Sequence, residues 1–434
     1  MGQKKLTLMS STGPSALFCL SKVNMYPRDR VWMIGWEYPP HNSGGLGVAC
    51  QGLTQSLAQS NTQIYFTLPY AFSGNVSHME LIECIHESWN SDPNAAPFSA
   101  YSSIPSLDTS GFGRDYLDTS ALAALPQSHL EVKVGQYAQL VSQQAAKRNN
   151  PFEVIHAHDW MSFPAGVQLK RQSGKPLITH IHSTEYDRIP SGHGSDFIMH
   201  TEYEGLQQAD KVIAVSNYTK YLLVRHYNVD PNKIEVVHNG LTPSDSINPG
   251  TQHFASKRPV IVFMGRLTGQ KGPEYMLALA KQLLQKIPDA LLILAGSGDL
   301  YHELLITTAR ERLSASVLFS GFLRDQQREK LLDRADIFVM PSLSEPFGLV
   351  ALEAAERHTP VIVSKNSGVA EVLPSAISID FWDIQKMTDT IYDLLTNQVD
   401  RQKVVEQQLA DVQKVTWQSA AQKVKNVYRS IVKK

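Results

Sequence analysis

Ile337-Phe338-Val339-Met340-Pro341-Ser342-Leu343-Ser344-Glu345-Pro346-Phe347-Gly348-Leu349-Val350-Ala351-Leu352-Glu353 reads as a buried strand, a tight loop and the start of a helix. Its opening residues are apolar without alternation, the pattern of a parallel strand covered on both faces. Pro346 and Gly348 mark a sharp entry into the helix, whose first N–H groups are free to meet phosphate oxygens. Glu345 stands just before that helix and Glu353 one to two turns inside it. At about 1.5 Å of rise per residue, both carboxylates can face one ligand-sized crevice. A carboxylate beside a nucleotide commonly takes the ribose hydroxyls. Each acid alone is equally what a solvated helix start looks like, because the dipole favours negative charge there.

The same strand–loop–helix unit recurs on either side. Residues 259–265 read as a strand, Arg266-Leu267-Thr268-Gly269-Gln270-Lys271-Gly272 as a loop, and Pro273–Lys286 as a helix with proline in its first turn. Further strands are expected at 290–295, 317–320 and 360–364. Upstream, Val31-Trp32-Met33-Ile34-Gly35-Trp36 runs through Asn42-Ser43-Gly44-Gly45-Leu46-Gly47 into a helix with Ala49, Leu53 and Leu57 on one face. Strands at 154–158, 177–182, 211–216 and 234–240 follow. Residues 70–130 have little periodicity and read as a loop-rich insertion, with helical regularity returning from about 130 to 147. The polar stretch 242–257, with Pro243, Pro249 and Gly250, is the linker.

Apolar strands alternating with amphipathic helices imply α/β architecture, and the restart after the linker implies two sheets. The fold expected is two doubly wound, Rossmann-like domains facing each other across a cleft. Residues 1–28 are expected to be a flexible extension, 29–245 the first domain, 246–416 the second, and 417–434 a helix that either caps the second domain or crosses back to the first. A chain of 434 residues accommodates two such cores.

Composition narrows the function. Forty Lys and Arg against 41 Asp and Glu give a net charge of −1, so nothing draws the whole chain to nucleic acid or an anionic membrane. No apolar run reaches the roughly 20 residues of a membrane helix, and the patch Ala16–Leu20 is too short for a signal-peptide core. Cys19, Cys50 and Cys84 fit no disulfide or metal motif and read as reduced thiols of a cytoplasmic protein.

In open α/β sheets ligands bind beyond the carboxyl ends of the strands, and three constellations sit there. Arg266 and Lys271 bracket a loop suited to neutralising a diphosphate without a metal; the alternative is a pair of solvated charges in a turn. Glu345 and Glu353 follow the next such strand. His156-Ala157-His158-Asp159-Trp160 ends a third, with His182 of His180-Ile181-His182-Ser183-Thr184-Glu185-Tyr186-Asp187 in an equivalent place. His156 and His158 point to one side of their strand, but no third ligand stands at useful spacing, so no metal is expected. A histidine there suits a polyhydroxylated ligand; His156 reads as structural.

Together these residues resemble the retaining glycosyltransferases of the GT-B architecture, in the branch of the glycogen and starch synthases (glycosyltransferase family 4, glycosyl transferases group 1). The resemblance spans roughly residues 30–434 and rests on Gly44-Gly45-Leu46-Gly47, the His-Ala-His-Asp-Trp run, Asn239-Gly240, the Arg266/Lys271 loop, Ala295-Gly296-Ser297-Gly298-Asp299 and, above all, two glutamates separated by seven residues. It implies that Arg266, Lys271, Gly45, Gly348 and Leu349 bind the donor diphosphate and Glu353 the ribose. Glu345 and His158 would be catalytic, near the transferred sugar, with His182 on the acceptor or sugar side. It implies a nucleotide-sugar donor, ADP- or UDP-glucose, a carbohydrate or glycan acceptor, and neither cofactor nor metal. Where the glycogen and starch synthases carry lysine two residues before the paired glycines, Asn42 stands here. The run 182–187 is more similar to glycogen-synthase-like enzymes of archaea and diverse bacteria. Two rivals share the fold: a nucleotide-sugar epimerase, and a nucleotide-sugar-binding protein without activity.

Overall fold

The computed structural model describes residues 29–41, 44–72, 74–89, 127–148, 151–189, 194–243 and 258–432. The expected extension 1–28, Asn42 and Ser43, most of the 70–130 insertion and most of the linker lie outside them. The first half runs β1 (Asp29–Ile34), α1 (Gly45–Gln59), β2 (Thr62–Leu68), β3 (Glu80–Glu83), α2 (Gln127–Lys147), β4 (Val154–His158), α3 (Phe163–Ser173), β5 (Leu177–Ile181), α4 (Glu185–Arg188), α5 (Asp196–Gln208), β6 (Lys211–Ala214), α6 (Asn217–Tyr227) and β7 (Ile234–Val236). The second runs β8 (Val260–Met264), α7 (Pro273–Lys286), β9 (Leu291–Ala295), α8 (Tyr301–Arg310), β10 (Val317–Gly321), α9 (Asp325–Arg334), β11 (Ile337–Met340), α10 (Leu349–Glu356), β12 (Val361–Ser364), β13 (Ile377–Ile379), α11 (Ile384–Thr396), α12 (Gln398–Val412) and α13 (Trp417–Ile431).

These strands make two sheets, ordered 3-2-1-4-5-6-7 and 10-9-8-11-12-13, with every ladder parallel. Side-chain alternation shows why both faces are covered in the second. Val260, Val262 and Met264 of β8 enter one core with Phe338, Met340, Val361 and Val363, while Ile261 and Phe263 enter the opposite core with Ile337, Val339 and Ile362. Strand order reverses between β1 and β4 and again between β8 and β11, and each reversal opens a crevice at the strands' carboxyl ends.

Three strands escape the sequence reading. β2 is passed over, β3 falls in the stretch read as loop, and β13 is only three residues long. β3 is a four-residue edge strand, Glu-Leu-Ile-Glu, too short for periodicity to register.

The last helix crosses to the first domain. Trp417, Ala421, Val424 and Tyr428 belong to the core built around β1 and α1. Trp417 lies against Gly52, Tyr428 OH bonds His156 Nδ1 at 2.7 Å, and Lys425 pairs with Asp29 and reaches the Ser60 carbonyl. The Leu241 amide donates to the Val415 carbonyl, so the chain's two passages between domains run side by side.

Candidate functional site

The loops after β8 and β11 are stitched together by the Leu343 amide donating to the Gln270 carbonyl and by Gln270 Nε2 donating to the Ser344 carbonyl. Gln270 also accepts from Arg266 Nη2. Across this seam Lys271 Nζ donates to Glu345 Oε2 at 2.7 Å, and Ser342 Oγ donates to the same oxygen at 3.2 Å. Backbone bonds from the Glu345 amide to Asn366 and from Gly368 to the Glu345 carbonyl hold the carboxylate's base. A cation and a carboxylate meeting at the switch point leave Lys271 poised to exchange one anionic partner for another.

Gly348 then turns the chain into α10 at φ +105°, a conformation glycine alone adopts freely; a Cβ there would also lie 2.8 Å from Met340 Cε. Glycine stands at the N-cap of both helices, Gly348 for α10 and Gly44 for α1, so neither cap residue has a side chain to cover its helix start. The two termini face each other: a Cβ on Gly45 would lie 3.7 Å from Leu349 Cδ1. The start of α1 thus meets the start of α10, and the Lys271–Glu345 pair stands just before α10.

Glu353 projects from α10 and pairs with Arg328 of α9 at 3.4 Å through Oε1. Its Oε2 is buried without a hydrogen-bond partner. Burial pushes the carboxyl's pKa above the usual value, with Arg328 pulling it down. An unpartnered buried carboxylate oxygen is costly, and a ligand hydroxyl would satisfy it.

In the first domain His158 ends β4 and His182 follows β5; His158 Nδ1 and His182 Nε2 share a hydrogen bond of 3.1 Å. Burial lowers the His158 pKa to about 3 and holds His156, His180 and His182 well below the usual value, so all four rings are neutral at pH 7. Asp159 follows at φ +57°, strained for a non-glycine residue. Its carboxylate accepts from the His182 and Ser183 amides, fixing the turn that carries His182. Strain held this firmly beside a cleft is a mark of function. His156 is committed to Tyr428 and His180.

The domains are tied beside the site. Ser344 Oγ, next to Glu345, donates to Asp187 Oδ1 at 2.6 Å and bonds Tyr218 OH at 2.9 Å. Ser216 Oγ donates to the Pro346 carbonyl. Glu371 accepts from the Asn217 and Tyr218 amides at the start of α6 and from His238.

Of the residues singled out in the sequence, Arg266, Lys271, Glu345, Gly348 and Leu349 fall in one cluster. Gly45 faces them, Glu353 lies farther along α10, and His158 pairs with His182. Gln270, Arg328, Asp187 and Glu371 were given no role in the sequence reading; each acts through a partner distant in sequence, and only Gln270 and Asp187 lie in runs singled out there.

Two family models match in sequence order: Glycosyltransferase Family 4 over residues 126–245 and Glycosyl transferases group 1 over 247–410. An uncharacterized glycosyltransferase of Methanocaldococcus jannaschii is 29% identical over 418 residues, covering 92% of this chain and 98% of that protein. The glycogen synthase of Mycobacterium tuberculosis is 28% identical over 352 residues, 79% of this chain and 80% of that protein. Among solved structures, sucrose-phosphate synthase from Thermosynechococcus elongatus superposes with a TM-score of 0.71 at 19% identity, covering 93% of this chain and 99% of that one. With two facing Rossmann-like domains and matches to both halves, the chain is a GT-B glycosyltransferase of the family 4 and group 1 type.

Proposed function

We propose that the protein transfers glucose, with retention of anomeric configuration, from ADP- or UDP-glucose to a hydroxyl of a carbohydrate acceptor, with an α-glucan as product. The observation that carries this reading is the Lys271–Glu345 pair at the β8/β11 switch point, on the side of the cleft where the start of α10 meets the start of α1. On donor binding Lys271 and Arg266 take the diphosphate, and Glu353 Oε2 accepts from the ribose. As the bond from the anomeric carbon to the diphosphate oxygen breaks, charge grows on that oxygen. Two cations and two sets of helix amides stabilise it there. The acceptor hydroxyl attacks the same face and its proton passes to the departing diphosphate. Glu345, released from Lys271, and His158 stand beside the sugar and stabilise its cationic character.

This scheme needs no hard divalent ion, so magnesium or manganese should leave turnover unchanged. The similarity to a glycogen synthase supports the α-glucan, and the free buried thiols Cys50 and Cys84 support a cytoplasmic setting. Among the described residues no helix is long and apolar enough to cross a membrane. The test is to mix purified protein with ADP-, UDP- or GDP-glucose and a malto-oligosaccharide, following free nucleoside diphosphate and the product's anomeric proton by NMR. An α-linked, lengthened product from one of the first two donors is expected. A β linkage would overturn retention, and no diphosphate release with any donor would overturn the whole reading.

A further inference from the structure

The run from His182 to Arg188 touches both halves of the cleft. At its start the Asp159 carboxylate accepts from the His182 and Ser183 amides. Thr184 and Asp187 then cap each other: the Asp187 amide donates to Thr184 Oγ1, and the Thr184 amide and hydroxyl donate to Asp187 Oδ2. Asp187 Oδ1 is left for the second domain, where it accepts from Ser344 Oγ at 2.6 Å, one residue before Glu345. One short turn therefore carries a histidine of the first domain and holds the neighbour of a carboxylate of the second.

Arg188 anchors this turn. Its side chain is 10% exposed and forks, Nε donating to Glu185 Oε2 and Nη2 to Glu202 Oε1, both at 2.8 Å. Glu202, wholly buried on α5, also accepts from the Glu185 amide and from Tyr227 OH at the end of α6. One guanidinium thus serves several buried acids. Burial raises the pKa of Asp159 and of Glu202 to about 7 and raises that of Asp187, and the charge of Arg188 opposes the rise at all three. A buried ion cluster of this kind is weak evidence of stability, because well-packed apolar residues commonly do as well. What it does here is fix where the acceptor oxygens of Asp187 stand. We propose that Arg188 is a positioning residue for the transfer: through the 182–188 turn it sets His182 on the first domain and, by way of Asp187 and Ser344, Glu345 on the second.

Arg188's role rests on the proposed transfer, and one of its two tests needs no activity. Arg188→Lys keeps the charge but loses the fork, since an ammonium cannot meet both carboxylates in the guanidinium's geometry. For diphosphate release kcat should fall roughly tenfold, because small displacements of a catalytic group are this costly, while donor affinity by calorimetry stays near wild type. In a Ser344→Ala background the same substitution should cost clearly less, because the path to Glu345 is already cut. Hydrogen exchange reads that path without turnover: Arg188→Lys should speed exchange of the Leu343 and Glu345 amides across the cleft. Tyr227→Phe, which withdraws one donor from Glu202, should move both readouts in the same direction, and it decides them where Arg188→Lys does not fold. Unchanged kcat in a folded variant, an equal cost in both backgrounds, or faster exchange confined to residues 183–189 and α5 would each make Arg188 a stabiliser of the first domain alone and overturn the proposal. Absence of diphosphate release by the wild-type protein with any donor would overturn the transfer itself, and the exchange pattern would still decide whether Arg188 places the loop that carries Glu345.

Discussion

Lys271 and Glu345 neutralise each other at the switch point, and substitution at either end exposes what the pair does. Lys271→Ala should lower turnover roughly 10²–10³-fold, the scale of losing one preorganised charge at a developing anion. Near-normal turnover in a folded variant would remove the diphosphate role. Glu345→Gln should lower turnover far more than donor affinity, because its charge matters as the bond breaks. Glu353 should behave differently. In the proposed scheme it accepts from the ribose in the ground state, so Glu353→Gln should weaken donor affinity by about 1.5–3 kcal/mol, measured by calorimetry. Its pH dependence has a definite sign. The carboxylate is the accepting form, and burial has raised its pKa, so wild-type affinity should fall on acidification from a higher pH than an ordinary glutamate would give. In Glu353→Gln that component should vanish. Identical pH profiles for the two proteins would count against the ribose assignment.

At the level of elements, β1, β4, β8, β9 and β11 were legible because each is an apolar run followed at once by glycine, proline or charge. The loops after β8 and β11 were legible for the same reason, and carry Arg266, Lys271, Glu345 and Gly348. What stayed hidden were elements whose signal is shared across distance. Nothing local in Glu80-Leu81-Ile82-Glu83 announces an edge strand; its partner β2 supplies the ladder. The destination of α13 was open in the sequence, because an amphipathic stripe says that a face is buried and not against what. The structure supplies the partner: Trp417 covers Gly52 so closely that a Cβ there would stand 2.2 Å from Trp417 Cε2. Gly52→Ala therefore sets two effects in opposition. Alanine favours the helix by roughly 1 kcal/mol, while overpacking costs typically 1–3 kcal/mol. With the indole buried and the α1–α13 contact extensive, the clash should win, lowering the urea midpoint and shifting tryptophan emission. Unchanged or raised stability would mean that α13 sits less tightly on α1 than the structure shows.

For the whole molecule, the groups proposed to bind the donor lie on the second domain and His158 and His182 on the first, so the proposed transfer requires the domains to hold one relative position. The contacts that fix it stand beside the chemistry, since Ser344 bonds Asp187 and Tyr218 while its neighbour is Glu345. Glu371 does the corresponding work at the start of α6. Burial pushes its pKa up, but hydrogen bonds from His238, Asn217 and Tyr218 bring it below the usual range. It is ionised at neutral pH, where it caps the exposed amides of a helix in the other domain. Glu371→Ala should leave each sheet intact and the donor site untouched, yet let the first domain drift relative to Lys271 and Glu345. Misplacement by about 1 Å can cost on the order of 10²-fold in rate; with Ser344 and Ser216 still bonded, a loss of roughly tenfold is expected. The discriminating measurement pairs donor calorimetry with steady-state turnover. Donor affinity should stay near wild type while kcat falls, and small-angle scattering should show a larger radius of gyration. A parallel loss of donor affinity would make Glu371 part of the donor site, and an unchanged kcat would mean that the seam does not set the catalytic geometry.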